Sequence, residues 1–411
     1  MNRFIPLALL ALFPYLALAP IFSLAEETQT KSTVEKLAFV SHWDGNANIY
    51  VVNVDGSQLV KLTTGTPKKE GFYTPKWSPD ASKLITVKNI THSLFKTTYE
   101  LWLAHLNGAG LLKIAENIEP VFLPSWSPDG TKVLFVIREE KKAKIKIFDL
   151  LNNSTNDITP PELQEIKNSN LTWSPDSAKI LGVFTTQSKT NIYYLKIADL
   201  ALVKVTAKSG AYENPVWSPD GAKIIFAYTN PTLDLFNQDS GLYSINSDGS
   251  NLLLIDKGEK ISNIAWASDS TTISYSKASR IDTQMDAQGF SSSTYYYGTF
   301  LYSTNGTGHP QKLFNSGKTP QQPSWSPDGK KLAFILGGAV NITLPGEAKP
   351  VIIKIPNPSG TPVWSPDSTQ IACTGSDRIL KKSSIYLAPI NGGKVIRLTD
   401  DTQAYDPVWA P

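Results

Sequence analysis

The chain has 411 residues, with 10 Trp, 16 Tyr, 16 Phe, 28 Pro and 26 Gly against 2 Met, a composition of strands and turns that disfavours a helical protein. A formal net charge of +3, from 39 basic and 36 acidic residues, argues against an electrostatic nucleic-acid binder. One cysteine permits no internal disulfide, and four histidines (His42, His92, His105 and His309) leave little for a Cys/His zinc cage, so no metal or cofactor is expected.

Met1-Asn2-Arg3 supplies one positive charge, Phe4 to Leu24 is almost continuously apolar, and Ser23-Leu24-Ala25 ends the run in a signal-peptidase pattern. Residues 1–25 are therefore expected to be a signal peptide, 26–35 a polar linker and 36–411 the folded domain. The alternative is an uncleaved membrane anchor, which Pro6, Pro14 and Pro20 disfavour. The expected location is periplasmic or extracellular.

From residue 77 onward a repeat organises the chain. Trp77-Ser-Pro-Asp80, Trp126-Ser-Pro-Asp-Gly130, Trp173-Ser-Pro-Asp176, Trp217-Ser-Pro-Asp-Gly221, Trp266-Ala-Ser-Asp269, Trp325-Ser-Pro-Asp-Gly329 and Trp364-Ser-Pro-Asp367 are followed by a truncated copy, Trp409-Ala-Pro411. Successive tryptophans lie 49, 47, 44, 49, 59, 39 and 45 residues apart, the period of a four-stranded propeller blade. Within a unit a short segment ends in Trp and turns through Ser-Pro-Asp-Gly, where Pro suits the second position of a type I turn and Ser and Asp bond the local backbone. A run such as Lys223-Ile-Ile-Phe226 follows, then one such as Asn48-Ile-Tyr-Val-Val52, a second turn at Asp55-Gly56, and a fourth run such as Leu59-Val-Lys-Leu-Thr63.

The first three runs, 36–63, lack a Trp segment, and the last Trp segment lacks runs after it. Pairing tail with head gives an all-β, eight-bladed β-propeller of four-stranded antiparallel blades, and removes two exposed strand edges at once. The expected blades are 36–63 with 403–411, then 72–114, 121–159, 170–206, 213–255, 262–313, 320–355 and 361–399. A seven-bladed ring with a stray tail is the alternative. The repeated Trp and Asp residues read as anchors and turn caps, and Cys373, aligned with Phe135 and Phe226, as a small core residue.

These units resemble the WSPDG-type repeats of TolB-like propellers over essentially the whole mature chain, through Trp-Ser-Pro-Asp-Gly, the Lys-Ile-Ala-Phe-like strand and the stretch Ile49 to Gly56. The resemblance implies a periplasmic or extracellular protein that binds other proteins or envelope polymers. The family's namesake carries a separate α/β domain before a six-bladed propeller; here the repeats start almost at the mature N-terminus and number eight. Related propellers gate prolyl-peptidase-like enzymes, but no Gly-x-Ser-x-Gly elbow occurs here. Others are polysaccharide lyases with clustered histidines and a metal, which makes a carbohydrate-active enzyme the alternative to a non-catalytic role.

In an up-and-down blade the second-to-third-strand connections and the links between blades share one face of the disc. Insertions fall there at about Asn89 to Thr98, Asn230 to Ser240 and Lys277 to Gly298. The longest offers Arg280, Asp282, Asp286, Phe290, Tyr295, Tyr296 and Tyr297, a mixture suited to recognition. The alternative is that the three tyrosines simply begin the third strand. Tyr73, Phe122, Tyr212, Glu213 and Tyr405 are candidates to line the channel mouth on the same face. The expected partner is a protein or an envelope glycan or polymer bound by a monomer, with no nucleic acid and no transmembrane domain in the mature chain.

Overall fold

The computed structural model describes residues 35–411 apart from 109, 168–170, 231–238, 286–290, 304–308, 314–319, 346, 348, 378–381 and 401–402; within 279–297, and at 321, it describes backbone alone. Alternating apolar runs and Ser-Pro-Asp turns produce eight antiparallel sheets arranged as a ring. Blade 1 takes Lys36–Ser41, Asn48–Asn53 and Val60–Lys61 from the start of the domain and Ala404–Trp409 from its end. Leu37 pairs with Trp409 and Ala38 with Val408, so the tail completes the first sheet as the repeat arithmetic requires.

The other blades follow in chain order. Blade 2 runs from Glu70–Trp77 to Gly110–Glu116, blade 3 from Ser125–Trp126 to Ser154–Asp157, and blade 4 from Glu165–Ile166 to Leu202–Lys204. Blade 5 runs from Ala211–Trp217 to Leu253–Lys257 and blade 6 from Ser262–Trp266 to Gln311–Lys312. Blade 7 runs from Gln321–Trp325 to Val351–Ile353 and blade 8 from Pro358–Trp364 to Ile396–Arg397. Blade 4 starts earlier than the repeat alone suggests, because its first-strand position is split into Glu165–Ile166 and Thr172–Trp173, both paired with Lys179–Thr186.

The tryptophans link blade to blade. The indole Nε1 of Trp77 donates to the carbonyl of Val408, Trp126 to that of Lys76, Trp173 to that of Ser125 and Trp266 to that of Val216. Trp364 donates to Ser324 and Trp409 to Val363, each at 3.0 Å, so every donation runs to the residue before the preceding blade's Trp. Trp325 finds the Ser274 hydroxyl instead, and Trp217 has no acceptor. The rings lie in apolar seams built from the facing sheets of adjacent blades, such as Leu37, Phe39, Leu387 and Trp409 between blades 8 and 1.

The acidic array belongs to the turns. In Ser78-Pro-Asp80 the serine hydroxyl donates to the Asp carboxylate at 2.5 Å and accepts from the Lys83 backbone N–H, and the pattern recurs at Ser174, Ser218 and Ser365. Those serine hydroxyls lead the effects that hold Asp80, Asp176, Asp220 and Asp367 below the usual carboxylate range. The residue after Asp is left-handed. Gly130, Gly221 and Gly329 suit that conformation; Ser177, Ser270 and Ser368 adopt it too, and their hydroxyls accept from the backbone N–H of Asp129, Asp220 and Asp328 in the preceding blade. A bond across the blade seam thus accompanies the less favourable backbone.

The missing acceptor at Trp217 yields a differential prediction. Trp364→Phe removes a buried hydrogen bond along with ring area, whereas Trp217→Phe removes ring area and a buried N–H that bonds nothing. Trp364→Phe should cost about 1 kcal/mol more than Trp217→Phe in chemical denaturation; equal costs would mean that the indole donations contribute nothing to stability.

Candidate functional site

The first strands of neighbouring blades pack on one another and so surround the axis, while fourth strands such as Val60–Lys61 and Ile396–Arg397 are exposed at the rim. Near the connection face most first strands contain a bulge. Thr74, Asn214, Asn263, Gln322 and Asp406, each three residues before a Trp, are left-handed with φ of 50–52°, and in blade 8 the left-handed residue of a longer bulge is Gly360, four residues before Trp364. Proline follows at 75, 215, 323 and 407. A left-handed β-branched or amide residue costs roughly 1–3 kcal/mol and persists only where its surroundings enforce it. The result is a polar ring about the axis in which Asn263, Gln322 and Asp406 are exposed.

Around blade 1 this ring carries its strongest electrostatics. His42 Nε2 lies 3.0 Å from the Tyr405 hydroxyl, and burial, reinforced by Tyr73 and Asp406, pushes the Tyr405 phenol up. Burial also pushes the Asp406 carboxyl up and the Lys76 ammonium down, although solvent reaches both side chains. Groups surrounded by protein yet wetted suit a narrow polar opening. Thr74, Ser125 and Thr172, in the first strands of blades 2 to 4, each bury a hydroxyl that has no hydrogen-bond partner.

A cavity of about 500 Å³ opens at the seam between blades 4 and 5. Its wall is aromatic. Tyr212 pairs across strands with Tyr228, ring centroids 5.1 Å apart, and Phe226 with Tyr243, stacked at 5.8 Å. Tyr212 donates to the Lys208 carbonyl and Tyr243 to the Asp239 carbonyl, so both hydroxyls are fixed and the ring surfaces form the lining. Gly210 makes room: a Cβ there would stand 2.3 Å from the Tyr228 ring. Lys204, Lys208, Asp239 and Asp248 supply charge around the lining, with Lys208 3.4 Å from Asp239. Flat apolar faces ringed by donors and acceptors suit a sugar ring or an aromatic side chain.

The sequence candidates that the structure describes therefore fall in five places. Tyr73 and Tyr405 meet at the axis beside His42; Phe122, half-buried, packs on the core between blades 3 and 4. Tyr212 is buried as a wall of the cleft, and Glu213 is exposed at a smaller cavity of about 90 Å³ with Glu259 and Lys260. Arg280, Asp282, Tyr295, Tyr296 and Tyr297 stand on a long hairpin of blade 6, Thr272–Met285 against Ser291–Ser303, in which Arg280 is opposite Tyr296 and Ile281 opposite Tyr295. Asp286 and Phe290 lie outside the described residues. The segment expected as a loop is mostly paired strand, rooted where Tyr275 and Lys277 both donate to Asp256 at 2.6 Å.

Sequence reasoning missed Phe226, Tyr228, Tyr243 and Asp239 as cleft residues. The signal was Phe226-Ala-Tyr228, two rings on one face of a strand, with Tyr243 at the matching place in the next. Among the described residues no group of three His, Cys, Asp or Glu is placed to hold a metal ion.

The family model described as the TolB beta propeller domain matches residues 85–299. Among curated proteins none matches the chain. TolB from Acinetobacter baumannii is 14% identical at a TM-score of 0.42, covering 92% of this chain and 67% of that one. The β-propeller domain of the Trilobed protease from Pyrococcus furiosus, which has an open velcro topology, is 17% identical at a TM-score of 0.51, covering 81% and 99%. A puromycin-hydrolyzing peptidase from Mycobacterium tuberculosis is 15% identical at 0.54, covering 81% and 53%. At such identities the likeness is one of fold.

The carboxyl at 406 makes a signed prediction. Its folded pKa is raised, so ionisation opposes folding above the carboxylate range and the penalty vanishes below the unfolded value, near pH 4. Asp406→Asn should therefore raise the denaturation midpoint at pH 7 more than at pH 3; a gain independent of pH would assign the effect to the backbone alone.

Proposed function

The chain belongs to the TolB β-propeller domain family, and from that premise we propose that it is an extracytoplasmic, non-catalytic binding and scaffold protein that holds another protein or a cell-envelope polymer. Residues 1–25 direct it out of the cytoplasm and 26–35 link that segment to the propeller. The observation that carries the reading is the aromatic cleft between blades 4 and 5. The Tyr212 and Tyr243 hydroxyls are engaged with backbone carbonyls, so these rings offer stacking surfaces beside peripheral charge, a composition suited to recognition. The blade 6 hairpin adds Arg280, Asp282 and Tyr295 to Tyr297 on the connection face as a second recognition element.

The test is equilibrium binding to the partner isolated from the extracytoplasmic fraction on the immobilised protein. Leu252→Trp fills the cleft from its exposed edge, and replacing residues 282–294 by Asn-Gly shortens the hairpin to a two-residue turn. Each should weaken the Kd at least about tenfold, or about 1.4 kcal/mol, without altering the denaturation midpoint by a comparable amount. Unchanged affinity in both variants, or turnover of the captured polymer, would overturn the proposal.

A further inference from the structure

One sector of the connection face carries exposed apolar side chains that neither the fold nor the cleft uses. In blade 2 the second and third strands, Lys83–Ser93 and Lys96–His105, outrun the corresponding pair of blade 3, Lys132–Glu139 and Lys142–Asp149. Three further residues project the hairpin about 10 Å further along the strand direction. Ser93 pairs with Lys96, and the two residues of the turn between them are Leu94 and Phe95, which are 95% and 99% exposed. A solvated Leu-Phe pair at the end of a hairpin is unfavourable for a protein that meets only water.

Its surroundings extend the feature. In blade 1 the corresponding connection presents Trp43, 58% exposed with its ring tilted against Tyr50. The link between the two blades runs between these projections: Phe72 N–H bonds the Ala47 carbonyl on one side, and Thr91 N–H bonds the Lys69 carbonyl on the other. That link carries Lys68 and Lys69, and the hairpin adds Lys96; all three are exposed, and among the described residues none is ion-paired. The nearby carboxylates are engaged, Asp44 by Lys61 and Glu70 by Lys88. The sector is therefore an apolar tip and an indole among three solvated ammonium groups.

We propose that this sector docks the propeller on an anionic phospholipid surface, with Leu94 and Phe95 entering the acyl boundary, Trp43 at headgroup level and Lys68, Lys69 and Lys96 at the lipid phosphates. The charge is complementary to such a surface, and the pairing of apolar and aromatic side chains with lysines matches what the interface accommodates. A convex tip needs a partner that deforms around it, which a bilayer does without a preformed pocket. The sector belongs to blades 1 and 2 and the cleft to blades 4 and 5, so the two contacts stand apart and are tested apart.

The experiment places an environment-sensitive thiol dye beside the tip in the full chain through Ser93→Cys. Cys373 does not compete, because it is fully buried and burial pushes its thiol up to about 12. The dye reads the tip itself, whatever the apolar segment Phe4 to Leu24 does at a bilayer. With vesicles of phosphatidylglycerol and phosphatidylcholine, dye emission should shift to the blue and be quenched by brominated acyl chains. Vesicles of phosphatidylcholine alone should give neither response. Adding Leu94→Ser with Phe95→Ser should reduce tip insertion at least about tenfold, and Lys→Gln at 68, 69 or 96 about fivefold each at low salt. These side chains have little to lose from the folded core, so the denaturation midpoint should be unchanged, and capture through the cleft should persist. An absent shift, equal responses on the two lipid compositions, a response that survives loss of Leu94 and Phe95, or a shift produced only by a bound protein would overturn the proposal.

Discussion

The ring depends on one short antiparallel pairing, Ala404–Trp409 against Lys36–Ser41, made by segments more than 360 residues apart. A four-stranded sheet presents two edges, and an open array of eight would leave its first and last blades with bare seams. Lending the final strand to the first sheet covers the inner edge of blade 1 and gives Trp77 its acceptor at Val408 while Trp409 reaches Val363, so the chain of indole bonds crosses the closure. A long loop costs only slowly more entropy to close as it lengthens, so the pairing is affordable because the intervening blades already form the ring. The axis, the two faces and the seam between blades 4 and 5 take their positions from that closure.

The sequence exposes the scaffold more fully than the site, for a physical reason. Every blade solves the same packing problem, so Trp, Ser-Pro-Asp and the apolar runs recur at one period and identify the sheets and the closing strand. Recognition surfaces solve no shared problem. The bulged position three residues before five of the repeat tryptophans is Thr74, Asn214, Asn263, Gln322 or Asp406: one backbone conformation reached by four residue types, invisible as a motif. The insertions at 89–98 and 277–298 were legible as extra length, but their pairing into extended hairpins came from strand register. Leu94 and Phe95 fall inside the insertion at 89–98, and only strand register and exposure place them at its tip, away from the core.

Placement revised the candidates in an instructive direction. Tyr212, read as an axial residue, does its work at a blade seam because its register partner is Tyr228 and Gly210 clears space for that ring. Tyr405 and Tyr73 do converge near the axis, where Asp406 and Lys76 have their ionised forms disfavoured by the surrounding protein. The turn carboxylates differ from Asp406: serine hydroxyls and backbone N–H groups stabilise their ionised form, which makes them part of the scaffold. A shared repeat residue and a singular one of the same type thus have opposite electrostatic settings. The family to which the chain belongs accounts for the propeller and leaves the cleft and the apolar sector to be argued from this chain's own residues.

The closure is most directly measured by cross-linking its two ends through Ala38→Cys combined with Val408→Cys, residues directly opposite in the pairing. Cys373 is buried and leaves the new pair isolated. If tail and head share a sheet, mild oxidation of the native protein should form one intramolecular disulfide nearly completely and raise stability by about 2–4 kcal/mol relative to the reduced form. Two thiols that both remain free and react independently with a maleimide in the native protein would contradict the closed ring, and with it the assignment of every surface described.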